Sequence, residues 1–430
     1  MSALTKALHP DEKIKAGKLG GGMMKAGFGI FVVFAIISLI LGNMQGDHYK
    51  RFLYAYVTAW SWAVGIAIGM LWIIMLHHLV RGRWLTAVRR ISEAMSLAFP
   101  IIFIAGLGFV LPVLLGYKDL YYWAHPDAHN AALNPHLQHK LGWLSPSMFA
   151  LRYAIYGVLY TAMAGYFAKK SREQDESGDP AISTKLRVVS GPAMILFSFV
   201  TCALAFDVQM SLAPKWYSTI FGVSFWASGN IAAFGAFALV VLWVQRSGRL
   251  VHSVTEEHYH DIGKWMFSFT FFWAYTAFSQ FMLQWYGNMP EETHWYKYRM
   301  FGEWQWVSIA LLVGYWAFPF VFLMSRWTKR IVPGLVFFAV WQLAFTWLNN
   351  YWNVMPQYDW ESTFHDNTRL VEGPLMGSIA RHSVGLSAVD ITVWIMMIGI
   401  VLIGIGRSLK GNLIPVKDPT LGMSLAHEVM

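Results

Sequence analysis

An ionisable side chain inside an apolar run is costly, and by default it marks a pathway, a site or an internal pair. This sequence keeps a small set of them. His77 and His78 stand near one end of an apolar run, and Glu93 opens the next. Histidine titrates near physiological pH, so such a pair suits proton uptake or release. Asp261 and Lys264 open another run, with Gln280 and Gln284 further along on one helical face. Arg152 begins one run and Asp207 ends the following one, which brings them to the same side at similar depth. They are expected to lie close together, as a buried pair or within one polar pocket. His382 and Asp390 belong to the last run, where Asp390 is expected about two turns deeper than His382.

Each group also has a plainer reading. His77, Glu93 and Lys264 are near enough to a run's end to snorkel into water. Asp261 and Lys264, three apart, can pair with each other, and Asp390 can be a neutral, hydrogen-bonded acid. A transmembrane haem needs two histidines facing each other from neighbouring helices. His77 and His78 lie at the opposite end from His382, so no intrinsic haem is expected. His125, His129, His136 and His139 have spacings that can bind metal, but they sit in a cysteine-free segment with Pro and Asn, and no metal is expected there. The single cysteine, Cys202, excludes an internal disulfide, a cysteine-ligated iron–sulfur cluster and a covalently attached haem of the C-x-x-C-H kind. No phosphate-cradling loop, nucleophile elbow or H-E-x-x-H occurs.

Long apolar elements must position these groups. Hydrophobic types make up 56% of the 430 residues and charged types 13%, about half the charge of a soluble domain. A crossing helix needs roughly 20 apolar residues. The runs predict an all-α polytopic membrane protein with ten spans, at 24–42, 52–80, 95–115, 145–168, 188–207, 220–244, 266–286, 304–324, 331–347 and 384–405. With ten spans, most of the 33 Lys and Arg fall on the side that holds residues 1–23, residues 406–430 and the loops 81–94, 169–187, 245–265 and 325–330. Positive charge accumulates on the cytoplasmic side, so both termini are expected there. The net charge of +9 is then a topology signal rather than a sign of nucleic-acid binding. Across the membrane, the loops 116–144 and 348–383 are long and tryptophan-bearing, suited to holding extrinsic partners.

Two stretches carry a resemblance. One is A-F-D-V-Q-M-S-L-A-P-K-W-Y-S-T-I-F-G, residues 205–222. The other is H-D-I-G-K-W-M-F-S-F-T-F-F-W-A-Y-T-A-F-S-Q-F-M-L-Q-W-Y-G-N-M-P-E-E-T, residues 260–293. Together with I-P-V-K-D-P-T-L-G-M-S-L-A-H-E at 414–428, they closely resemble the polysulfide-reductase-like, NrfD-type membrane subunits, in particular the ActF type of bacterial alternative complex III. The resemblance spans essentially the whole chain. It implies two four-helix bundles, spans 2–5 within residues 24–207 and spans 6–9 within 208–347, flanked by spans 1 and 10. It also implies the bacterial inner membrane and a respiratory complex that carries electrons from menaquinol or another quinol to an acceptor. The implied partners are membrane lipids, a paralogous NrfD-type subunit, an iron–sulfur subunit, multihaem cytochrome c subunits and a terminal oxidase. Haem c and iron–sulfur clusters would then reside on partners, leaving only quinone and lipids for this chain.

Asp207, opening D-x-x-x-S-x-x-P-x-W, matches the acid associated with the family's quinol pocket. The paralogue carries an acid where this chain offers Arg152, and a cation there disfavours proton acceptance from quinol. The first functional expectation is a subunit that couples redox chemistry elsewhere to proton movement, with His77, His78, Glu93, Asp261 and Lys264 as an inner half-path and Asp207, His382 and Asp390 as the exit. Alternatives are direct quinol binding beside Asp207 and Arg152, a structural anchor for extrinsic subunits and, least favoured, a secondary transporter. Transporters place matched broken helices at the midplane, and Pro100, Pro112 and Pro319 form no such pair.

Overall fold

The computed structural model describes residues 5–125, 135–358 and 385–428. Among these residues the chain is helical, with an isolated antiparallel bridge between Lys15 and Asn412. The long helices are α1 (Leu19–Met44), α2 (Lys50–Leu79), α3 (Trp84–Leu114), α4 (Pro146–Ser177) and α5 (Ala181–Val208). They continue with α6 (Phe221–Arg246), α7 (Glu256–Gly287), α8 (Trp304–Met324), α9 (Val332–Val354) and α10 (Ala388–Ser408). Eight are long and apolar enough to cross a membrane: α1, α2, α3, α5, α6, α8, α9 and α10. The other two, α4 and α7, are 32 residues each.

Several helices outrun the apolar stretches that predict them. α4 continues through Lys169, Lys170, Arg172 and Glu173, and α7 starts ten residues before its apolar run. Lys, Arg, Glu and Gln are good helix formers, so the backbone hydrogen bonding continues after the hydrophobicity stops. α3 begins at Trp84 with a 3-10 turn and bends at Leu97–Ala98. Pro100 removes the amide that the preceding turn needs. α10 starts later than its run, because Ser387 caps it by accepting from the Val389 amide while Asp390 accepts from the Ser387 amide.

Helices α2 and α6 form the centre, and nearly every residue of the α2 span is buried. They meet through small residues. A Cβ on Gly65 would stand 3.0 Å from the Gly229 Cα, and one on Gly69 would stand 2.4 Å from the Ala233 Cβ. Two small residues four apart on each helix let the backbones touch. α2 also packs on α3, α5, α9 and α10, and α6 on α5, α7 and α9. α1 lies at the edge against α10, antiparallel to it. Gly27 meets the backbone of Gly399, and Gly20 meets that of Gly406.

The helix ends gather on two faces. On one, the tail face, the segments after residue 410 and before α1 run together, joined by Lys6 N–H to Gly422 C=O (2.9 Å) and Leu413 N–H to Ile14 C=O (2.7 Å). The other is the far face. On α2, Arg51 at the far face and His77 at the tail face are 26 residues apart, about 39 Å at 1.5 Å per residue.

Candidate functional site

Asp207 closes α5 and Arg152 stands in the second turn of α4, so adjacent antiparallel helices bring them together at the far face. The guanidinium grips the carboxylate with two nitrogens, Nε to Oδ2 at 2.7 Å and Nη2 to Oδ1 at 2.9 Å. The Tyr156 hydroxyl, one turn along α4, donates to Oδ2 at 2.7 Å, and the Trp143 indole N–H donates to Oδ1 at 3.1 Å. Arg152 also donates to the Trp143 carbonyl (2.8 Å) and lies 4.1 Å above the Trp143 ring. Both charges are buried, Arg152 at 6% and Asp207 at 2% exposure. Buried polar groups are costly unless paired, and this carboxylate is fully paired. It has no oxygen left without a donor, so it is a charge-balancing anchor before it is a base.

Beside this cluster is a cavity of about 580 Å³ whose lining includes Phe206, Asp207, Met210, Ser211, Pro214 and Trp216. The turn after α5 builds it. Ser211 donates to the Asp207 carbonyl at 2.5 Å, and Trp216 donates to Gln284 of α7 at 3.0 Å. His139 and Lys140 also line it.

Asp390 is elsewhere on the far face. It lies in the first turn of α10 rather than two turns inside, because the Ser387 cap starts the helix there. Its Oδ2 accepts from Arg51 of α2 at 2.7 Å. The Asp47 carboxylate is close by, accepting from the Arg51 amide (2.8 Å) and the Tyr358 hydroxyl (2.9 Å). His382 lies outside the described residues, as does His129, and the His136 side chain lies outside them too. Among the described residues no group of three or more metal-ligating side chains converges.

At the tail face Glu93 is locked. It accepts from Arg89 at 3.2 Å and from Arg90 at 3.1 Å. Arg90 reaches Asp175 of α4 (2.6 Å), and Arg89 reaches Asp418 of the C-terminal segment (2.8 Å). Burial alone would raise the Asp418 carboxyl. The Arg89 charge and the hydrogen bonds from Thr420 outweigh it and hold the group at about 2. His77 is within 3.3 Å of the Thr86 hydroxyl, which meets the Thr420 hydroxyl at 2.9 Å. His78 stacks on Phe167 of α4. The other tail-face group is separate: Asp261 contacts Lys264 at 2.5 Å and His427 at 2.6 Å. Among the described residues, the inner candidates thus gather into two clusters, while Asp207 with Arg152 and Asp390 with Arg51 stand apart on the far face.

Sequence reading passed over a buried neutral seam on α9. Gln342, Thr346, Asn349 and Asn350 share one face, and all are buried. Gln209 donates to Asn350 (2.7 Å). Thr346 and Ser228 both meet the Tyr315 hydroxyl at 2.9 Å, and Asn349 donates to Ser228 (3.1 Å). The signal was present as polar residues at i, i+4 and i+7 in an apolar helix. On α4, a second stripe runs from Arg152 and Tyr156 to Tyr160, which meets Thr201 at 2.7 Å. It then turns apolar at Met163, Ala164 and Phe167 before Ser171 joins Arg89 and Arg90.

No protein-family model matches this sequence, and no curated protein matches it.

Proposed function

We propose that the chain is an ActF-type, NrfD-like membrane subunit of a bacterial quinol:acceptor oxidoreductase of the alternative complex III class. It takes part in electron transfer from quinol to an acceptor outside the inner membrane and in coupled proton translocation. One observation carries this reading. The motif run 205–222 converges on a single cavity, with its acid, methionine, serine, proline and tryptophan all in the wall. In this reading α4 and α7 are the two further spans, completing ten. α7 carries an exposed apolar stripe of Phe271, Tyr275, Phe278 and Leu283 that suits a lipid boundary. The tail face is cytoplasmic, α2–α5 and α6–α9 form the two four-helix units, and the extrinsic haem and iron–sulfur subunits dock on the far face.

The chain's own part is to hold titratable groups at two depths. Glu93, His77, His78, Asp261 and Lys264 form the cytoplasmic half, and Asp207 and Asp390 the outer half, to which sequence order adds His382. The buried apolar residues Met163, Ala164 and Phe167 on α4 lie between them, as a gated proton route requires and an open leak does not. Quinol binding at the Asp207 cavity is the second reading, favoured by the cavity's volume of about 580 Å³. There the engaged carboxylate positions the ring through Tyr156 and Trp143 instead of taking its proton.

The test is purification from the native membrane under mild detergent, followed by proteoliposome assays. A complex with a multihaem c-type subunit and an iron–sulfur protein is expected; purification of the chain without them overturns the assignment. Measured on complexes purified intact, Asp207→Asn and Asp390→Asn should lower the proton-to-electron ratio while quinol oxidation persists. An unchanged ratio removes the proton-coupling half of the proposal.

A further inference from the structure

A second cavity, of about 530 Å³, lies in the other half of the chain, between α6, α7, α8 and α9. Cavities of ~300–1,000 Å³ hold small organic ligands. Aromatic rings dominate its wall, among them Phe225, Trp273, Phe281 and Trp295, and no charged side chain lines it. A neutral occupant is therefore matched to it, and an anionic headgroup is not. Its side toward the molecular surface is formed by Phe271, Tyr275, Phe278 and Leu312, each more than half exposed. In a spanning helix those residues face acyl chains, so the mouth opens to lipid.

Two residues of the wall each carry a buried polar atom that lacks a partner: the Ser224 hydroxyl and the Trp316 indole nitrogen. Buried donors are normally satisfied, so orphans on cavity-lining residues point to a missing acceptor. A third donor is available at Tyr296, whose hydroxyl accepts from Gln280 at 2.9 Å and still has its own proton to give. Independently, Trp316 sits in a π-helical stretch, Leu311–Ala317, a geometry that concentrates at functional sites. Pro319 follows it and cannot supply the amide that the Tyr315 carbonyl would take in an α-helix. The Gly314 carbonyl is taken instead by the Trp341 indole at 2.7 Å.

We infer that this cavity binds the ring of an isoprenoid quinone, a flat neutral molecule with carbonyl acceptors, held between aromatic faces with its tail leaving past Phe271 and Phe278. The site is distinct from the Asp207 cavity and requires only that the chain spans a membrane. It is a binding site, and no chemical step is assigned to it.

The experiment is photolabelling of the full chain in phospholipid nanodiscs with an azido-naphthoquinone bearing two isoprene units, followed by peptide mapping. Label is expected on α7 between Phe271 and Phe281 and on α8 around Trp316. Ser224→Ala with Trp316→Phe removes both orphan donors while keeping an aromatic face, and should cut that label severalfold while the variant still purifies as a folded, helical chain. Ala274→Leu, which fills the cavity, should abolish it. Label that survives in the filled variant overturns the inference. So does label found only on residues 203–217, a result that leaves the Asp207 reading standing. Native mass spectrometry without quinone supplies the last arm. A phospholipid retained by the unsubstituted chain, lost from Ala274→Leu and not displaced by the probe assigns the cavity to an acyl chain and overturns the quinone.

Discussion

Asp418 of the C-terminal segment meets Arg89 of α3 at 2.8 Å, both side chains almost wholly buried. Its carboxyl is held at about 2 against an ordinary 3.8. A depressed carboxylate pKa stabilises above the unfolded value and loses that contribution as pH falls through the folded one. The contribution, on the order of 2 kcal/mol, should be complete above about pH 4 and gone near pH 2. Hydrogen exchange of amides 411–428 should show protection falling through that window, and Asp418→Asn should flatten the dependence. Equal pH profiles for both proteins would remove the role of this pair.

Asp207→Asn leaves Arg152 buried without its counter-charge, and breaking a buried pair costs about 3–5 kcal/mol. Replacing both, with Arg152→Met and Asp207→Leu, should recover most of that loss, because neither charge is then stranded. Unfolding in detergent measures both. A double variant no better than the single one would mean that Trp143 and Tyr156 matter more than the pair.

Gly27→Leu should loosen α1 from α10, because a Cβ there meets the Gly399 carbonyl at 2.7 Å. Overpacking of this kind costs about 1–3 kcal/mol. Gly29→Leu, two residues on, meets no atom within 4 Å and should be neutral. Thermal melts of the two variants side by side decide it; equal melting temperatures contradict the close helix contact.

Arg299 is fully buried and donates to the carbonyls of Trp295 (2.8 Å), Trp352 (3.1 Å) and Asn353 (3.0 Å). It ties the short helix Pro290–Met300 to the C-terminal end of α9, where a cation suits the helix dipole. Arg299→Met should cost about 2 kcal/mol or more by leaving buried acceptors bare. Arg299→Lys should restore little of it, since one ammonium cannot span three carbonyls. Full recovery by lysine would show that charge alone suffices.

The sequence made the helices legible and their partners much less so. Apolar run length locates α1, α2 and α6 because hydrophobicity and helix coincide there. It misses the start of α3 at Trp84 and the last turns of α4, where charged residues that favour helix carry on beyond the run. Depth and side were enough to suggest that Arg152 meets Asp207, since adjacent antiparallel helices leave few other neighbours. Nothing local could pair Arg89 with Asp418 or Arg51 with Asp390, separated by more than 300 residues. The α9 seam was visible as a spacing, but its chemistry is neutral, and a search for charges passes over it.

The contact between Thr86 and Thr420 joins residues 334 positions apart. Ribosomes add about 5–20 residues per second, so the α3 arginines wait roughly 15–70 s for the tail that closes over them. During that interval Arg89 and Arg90 have Glu93 and Asp175 but lack Asp418. A nascent chain must therefore keep this region wetted, or covered by insertion machinery, well after its first helices have entered the bilayer.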